Sequence, residues 1–252
     1  MKISKQLIIT FILLVLTLLA EQYTSLDIQV QNLFFNGGSW LLNRQDNYIL
    51  HFFLYSGVKV AIITASVLAL LTFFASYGKA KLRPYRYSLV LFLAAMAIVP
   101  LVLAGAKKYT NVYCPAQLTM YGGGKPYAKL FASYPQDFDR QANSRGRCFP
   151  AGHASGGFAL MVLFFCFKKR KNKLLGLFLG LGLGWAMGLY QMLRGEHFLS
   201  HTLTSMFGAW LLILLIVLGL RKIKQKYPYF LEGKRLFKFH AKRGQKPGRF
   251  AK

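Results

Sequence analysis

Acidic residues are scarce. Seven Asp and Glu stand against 33 Lys and Arg, giving a formal net charge of +26 over 252 residues. In a soluble basic domain those charges would surround an apolar core. Here they fall in bunches between long apolar runs, and 54% of the chain is hydrophobic, the pattern of an integral membrane protein. No folded nucleic-acid reader accompanies the basic segments, so nucleic acid is not an expected partner. Internal repeats and low-complexity segments are also absent. Cysteine is limited to three positions. Cys166 lies in an apolar run, whereas Cys114 and Cys148 share one polar segment. In an oxidising compartment a bridge between those two would close most of that segment, the alternative being two unpaired thiols.

What is present is hydrophobic length. Apolar runs cover roughly 6–20, 58–77, 88–106, 154–167, 174–193 and 198–220. Crossing a hydrocarbon core of about 30 Å takes roughly 20 helical residues. The first run needs its flanks, and the fourth is short unless the preceding Ala-Gly-His and a tilt extend it. The expected fold is all-α: a six-helix transmembrane bundle over 1–220, followed by a basic tail, 221–252. The first run also has the charged start of a signal peptide, but no small-x-small cleavage site follows it. After it, LDIQVQNLFF reads as a short amphipathic helix lying in the membrane interface. His51, among Leu and Phe, reads as a packed or interfacial residue rather than a ligand.

Orientation follows from basic residues. The N-terminus, KAKLRPYR, KKRKNK and the tail hold 23 of the 33. The positive-inside rule puts both termini in the cytoplasm and the long loop 107–152 outside, in the periplasm if the membrane is a bacterial inner membrane. The tail mixes basic and aromatic residues and suits contact with anionic lipid headgroups. Turn chemistry dominates the loop.

Polar residues at the edges of spans are costly and mark function. Three clusters meet at the outer face: Lys107 and Lys108, then Pro150-Ala151-Gly152-His153, then Arg194, His197 and His201. Lys and Arg supply the field that a phosphoryl group needs, and the first N–H groups of a helix opening at Gly152 form an anion seat. One histidine can attack phosphorus while another protonates the leaving oxygen. If the last hairpin stays helical, Gln191, Arg194, His197 and His201 share one face, with Gly195 as the point where it would break.

These segments, KKYTNVYCP, PAGH and YQMLRGEHFLSH, resemble in order and spacing the motifs of the type-2 phosphatidic acid phosphatase superfamily of membrane lipid phosphatases. Its pattern is Lys-x6-Arg-Pro, Pro-Ser-Gly-His and Ser-Arg-x5-His-x3-Asp. The resemblance implies Lys107 and Gly152 as phosphate contacts, His153 as the acid and His197 as the nucleophile, with no cofactor and no metal. The chain departs from the pattern at Cys114 for Arg, Ala151 for Ser, Tyr190-Gln191 for Ser-Arg and His201 for Asp. Arg194 and Arg147 are the expected replacements for the guanidiniums, Ser155 for the hydroxyl, and His201 for the group that orients His197. The implied substrate is a phosphorylated membrane lipid, lipid A or undecaprenyl pyrophosphate being preferred, with hydrolysis or transfer of the phosphate through a phosphohistidine. Two alternatives stand beside it. One is a metal-dependent hydrolase using His197 and His201 at i, i+4, with His153 as third ligand and Glu196 beside them. The other is a non-catalytic phospholipid binder or transporter.

Overall fold

The computed structural model describes residues 2–42, 48–135, 138 and 144–227. Its helices are α1 (Ile3–Tyr23), α2 (Leu26–Asn32), α3 (Tyr48–His51), α4 (Gly57–Gly78), α5 (Arg86–Thr110), α6 (Gly152–Ala159), α7 (Leu163–Cys166), α8 (Arg170–Leu193) and α9 (Leu199–Lys226). A two-residue hairpin, β1 (Phe35–Asn36) with β2 (Ser39–Trp40), is the one sheet among the described residues. The all-α expectation holds.

Five helices, α1, α4, α5, α8 and α9, are long and apolar enough to cross a membrane, α4 together with α3 and the π turn that joins them. Residues such as Ile8, Phe11, Leu16, Val60, Leu68 and Phe74 are exposed along α1 and α4. That much exposed apolar surface suits lipid and not water. The expected sixth span is different. Gly152–Cys166 is one short apolar segment, interrupted by a 3-10 turn at Leu160–Val162, and at about 1.5 Å per residue it reaches only about 22 Å.

That short element is the centre of the bundle, with α5, α8 and α9 packed around it. Its neighbours present stripes spaced by four: Leu91, Ala95, Val99 and Leu103 on α5, and Ala209, Ile213 and Val217 on α9. Such spacing puts each set on one helix face, and Phe158 of α6 is fully buried among them. α1 packs on α9, and α4 packs chiefly on α5.

The helix expected in the interface is α2, and its polarity is inverted relative to a free surface helix. Asp27 and Gln31 are buried against protein while Leu26 and Leu33 are exposed. Gln31 donates to the carbonyl of Met192 at 2.9 Å. The long loop is irregular where described, with 3-10 turns at Pro115–Gln117 and Thr119–Tyr121. It folds back on the end of α1: Lys129 Nζ donates to the carbonyl of Gln22, and the Leu130 N–H to Glu21 Oε1, each at 2.9 Å. Tyr113, Leu118, Tyr121, Tyr134 and Phe198, with Phe35 and Trp40, form a second apolar cluster over this end of the bundle. Helix α9 runs past the expected tail boundary to Lys226. The tail beyond 227, expected to contact lipid headgroups, and the loop positions 136–137 and 139–143 lie outside the described residues.

Candidate active site

The expected shared face of Gln191, Arg194, His197 and His201 does not form. α8 stops at Leu193, and Gly195 turns the chain with φ +71°. Only glycine adopts that conformation cheaply. A Cβ there would also lie 2.4 Å from the Trp40 ring, which packs directly on the turn. The loop holds this reversal from the other side, since Ala116 N–H donates to the Gly195 carbonyl at 2.8 Å. His197 therefore sits in extended chain between two helices, and His201 lies in the first turn of α9.

The turn carries His197 onto the start of α6. His153 Nδ1 and His197 Nε2 are 3.2 Å apart, a hydrogen bond between imidazoles from two separate segments. If His153 Nδ1–H donates, the lone pair of His197 Nε2 is the acceptor, and that lone pair is the one a nucleophile needs. The other nitrogen of His197, Nδ1, faces the sulfur of Cys148 at 3.4 Å. His197 is only 2% exposed. Burial, then the positive charge of Lys107, then the neighbouring rings of His201 and His153 hold its pKa well below 6.5, against a smaller opposing effect of the Cys148 backbone. It is thus a neutral imidazole at neutral pH.

Lys107, three residues before the end of α5, lies against the first residue of α6. A Cβ at Gly152 would be 2.9 Å from Lys107 Cε and 3.3 Å from its Nζ, so the absence of a side chain at 152 lets the ammonium reach the helix start. Glu196 is within electrostatic range of that ammonium. Cys114 and Cys148 are bridged, with Cα atoms 5.1 Å apart. The bridge ties the chain following α5 to the chain entering α6, directly beside His197.

The other expected residues divide. Arg194 joins the site through a polar layer that sequence did not show: its Nη1 donates to the Tyr190 hydroxyl at 3.2 Å and lies 3.4 Å from His51 Nδ1, which is 3.1 Å from the same hydroxyl. The Tyr55 ring links His51 to His153, with centroids 4.9 and 5.2 Å away. His51 is therefore half-buried in the site's polar network and not an isolated packed residue. Nothing local could reveal this, because Tyr190 is 139 positions away. Ser155 is buried at the site, but its hydroxyl donates to the Gly152 carbonyl at 2.6 Å. Arg147 is exposed just before the disulfide and does not line the cavity at the histidines, and Lys108 is exposed. His201 is buried with its Nδ1 unpartnered and its ring 5.7 Å from that of His197.

Among the described residues, one group could offer three metal donors: Cys148, His197 and His201, with ligand atoms within 4.8 Å of one another. His153 is not in it. The Cys148 sulfur is committed to Cys114, which leaves two imidazoles where a catalytic zinc site uses three protein ligands.

Beside His153 a cavity of about 720 Å³ opens between α4, α5 and α6. Lys59, Lys107, Gly152 and His153 line one end, and Ile63, Val67, Leu70, Leu93 and Met96 line the rest. Lys59, which also lines this cavity, is not among the residues the sequence pattern singles out. The signal was a single charge within the apolar run of α4.

The geometry, two facing imidazoles beside lysine at a helix N-terminus, suits phosphoryl transfer. No significant match to the chain was found among curated proteins or solved structures. Residues 88–225 match the model of the PAP2 superfamily. That match covers more than half the chain and contains Lys107, His153 and His197, and the protein belongs to the PAP2 superfamily, whose members are in general phosphatases acting on phosphorylated substrates.

Proposed function

We propose that the protein is an integral membrane phosphatase that removes phosphate from a phosphorylated lipid at the outer face of the membrane. The observation that carries this is the 3.2 Å contact between His153 Nδ1 and His197 Nε2. A site that only binds phosphate needs cations and N–H groups, but has no use for a neutral imidazole hydrogen-bonded to a second one.

The phosphoryl group inserts between the two rings, held by Lys107 and the first N–H groups of α6. His197 Nε2 attacks phosphorus, and the bond from phosphorus to the lipid oxygen breaks. His153, made an imidazolium by a proton taken from the bound phosphate monoanion, gives that proton to the departing oxygen and is left neutral. Water then attacks the phosphohistidine, giving its proton to His153. The P–N bond breaks, and inorganic phosphate leaves with His197 restored. With a lipid hydroxyl in place of water, the same sequence becomes transfer. Arg194, anchored by Tyr190 and His51, adds positive charge within electrostatic range of His153.

The distribution of basic residues supports cytoplasmic termini and a periplasmic site in a bacterial inner membrane. Lipids carrying phosphate on that leaflet are then the substrates, lipid A and undecaprenyl pyrophosphate among them. The test is phosphate release from a panel of lipid phosphates by the purified protein. Wild type releases phosphate, His197→Ala does not, and His153→Ala is slower by about 10²–10⁴, the usual contribution of a proton donor. Equal activity in all three would reject the assignment.

A further inference from the structure

Of the seven acidic residues in the chain, two, Glu21 and Asp27, line one cavity. It lies between α1, α2 and α9, has a volume of about 280 Å³, and shares no lining residue with the cavity at His153. Both side chains are more than nine-tenths buried, Glu21 at 7% exposure and Asp27 at 6%, and they lie within electrostatic range of each other. Burying two carboxylates together is costly unless every oxygen has a partner. Three of the four do. Asp27 accepts from the backbone N–H and the hydroxyl of Ser200, and Glu21 Oε1 accepts from the Leu130 N–H. Glu21 Oε2 is buried with no partner.

The charge around that oxygen points to a monovalent cation. Lys129 is within electrostatic range of both carboxylates, and its ammonium donates to the carbonyls of Gln22 and Thr24 at 2.9 and 3.1 Å. Two negative groups against one positive one are balanced by a single further positive charge. The remaining walls are mainly hydrocarbon, among them Leu13, Leu16, Leu26, Leu203 and Phe207. Calcium takes six to eight oxygen ligands, which such walls do not supply. An ammonium on an apolar molecule suits both the free oxygen and the walls. Leu13, Leu16 and Leu26 are also exposed, so the cavity wall runs on into the lipid-facing surface. Glu21 and Asp27 flank the end of α1 at Tyr23, where a spanning helix passes from hydrocarbon to headgroups.

We infer that the cavity between α1, α2 and α9 binds the primary ammonium of a membrane lipid headgroup of the ethanolamine type. The ammonium donates to Glu21 Oε2, and the lipid lies against the leucines of α1 and α2. This site is separate from the histidine pair and does not rest on phosphoryl transfer. Its occupant supports the bundle, because Asp27 in the same cavity also holds the start of α9 through Ser200.

The experiment uses the full-length protein in detergent micelles. The probes are dioleoyl phosphatidylethanolamine and dioleoyl phosphatidylcholine bearing the same fluorescent acyl label. They share chains and phosphate, but the choline head has no N–H to donate. Wild type binds the ethanolamine lipid about tenfold more tightly than the choline lipid, the scale of one charge-assisted hydrogen bond. Its unfolding midpoint rises with added ethanolamine lipid, as for any ligand of the folded state. Glu21→Gln keeps an oxygen for the Leu130 N–H and removes the charge. It binds the two lipids equally and loses the rise in midpoint. Leu26→Lys offers an ammonium from the chain itself and also loses the preference, a second reading should Glu21→Gln fold poorly. His197→Ala keeps the preference, so failure of the phosphatase reading leaves this site standing. No preference in wild type, or a preference retained in Glu21→Gln, would overturn the inference. Calcium binding that depends on Glu21, without a lipid preference, would overturn it in favour of a metal site.

Discussion

The carboxylate of Asp27 caps helix α9 from another part of the chain, accepting from the backbone N–H of Ser200 at 2.8 Å and from its hydroxyl at 2.5 Å. Ser200 is the residue before His201 and lies three after His197. α2, which precedes the family match at 88–225, therefore holds in place the helix start next to His197, the proposed nucleophile. Burial raises the Asp27 pKa, and the two Ser200 bonds work against that rise.

Asp27→Ala leaves the buried Ser200 N–H without its acceptor. Loss of a helix cap costs about 0.5–2 kcal/mol, read as a lower midpoint in thermal or denaturant unfolding in detergent. The variant also loses turnover beyond its loss of folded protein, because the segment from His197 to His201 is no longer pinned. Asp27→Ser, which still offers an oxygen, recovers part of both. Unchanged unfolding and unchanged kcat in Asp27→Ala would show that the cap is idle.

Gly152→Ala separates activity from stability. The added Cβ meets the flexible end of Lys107, at 2.9 Å from Cε and 3.3 Å from Nζ. A lysine end moves aside at small cost, so the free energy of unfolding stays within about 0.5 kcal/mol of wild type, as for most substitutions that strain nothing rigid. The ammonium, however, is displaced from the helix start. KM for lipid phosphate rises by about tenfold, the loss of one charge-assisted hydrogen bond. A destabilised variant with normal KM would mean that Lys107 has a packing role alone.

The pH dependence follows from His197. Its pKa is held well below the ordinary 6.5 by burial and by the Lys107 charge. The neutral, nucleophilic form therefore persists as pH falls through 6.5, and the acid limb of kcat/KM lies below that value. Stability moves the same way: the unfolded chain takes up this proton near pH 6.5 and the folded chain does not, so folding stability is full above about 6.5 and declines as pH falls. Lys107→Met removes one source of the depression and shifts the acid limb upward. A wild-type limb at or above pH 6.5 would contradict the burial of a neutral His197.

Much of the fold is legible in the sequence. The apolar runs gave the helices because membrane helices satisfy their own backbone and advertise their length. The order of three short segments pointed to Lys107, Gly152, His153 and His197, and the structure brings these four residues together. Three features were hidden for distinct reasons. Gly195 could be read as a helical residue or a break, and only the Trp40 ring packed against it decides. His51 and Tyr190 meet across 139 positions, a tertiary contact that no local pattern encodes. Ser155 had a suitable hydroxyl, but the backbone carbonyl of Gly152 claims its proton. The basic replacements also sorted by tertiary structure: Arg194 is drawn in by Tyr190, whereas Arg147 stays exposed.

The redox state of Cys148 should decide whether zinc inhibits. In the oxidised protein its sulfur is bonded to Cys114 and lies 3.4 Å from His197 Nδ1. The remaining candidate ligands nearby are two imidazoles, so a chelator leaves phosphatase activity unchanged. A dithiol reductant supplies two electrons and two protons, opening the bridge to two thiols while becoming a cyclic disulfide itself. Cys148 then stands as a free thiol beside His197 and His201, three donors within 4.8 Å of one another, the number a catalytic zinc site takes from the protein, and binds zinc as the thiolate. Zinc captured there occupies His197 and stops phosphoryl transfer. The reduced protein should bind one zinc, measured by metal analysis after gel filtration, and lose activity in step with it. Chelation followed by reoxidation restores turnover. Cys148→Ser removes both the bridge and a thiolate, and should not show the same zinc-linked loss. Equal zinc uptake by the oxidised and reduced proteins would place the metal elsewhere, and loss of activity on reduction without zinc would show that the bridge acts by holding the loop against His197.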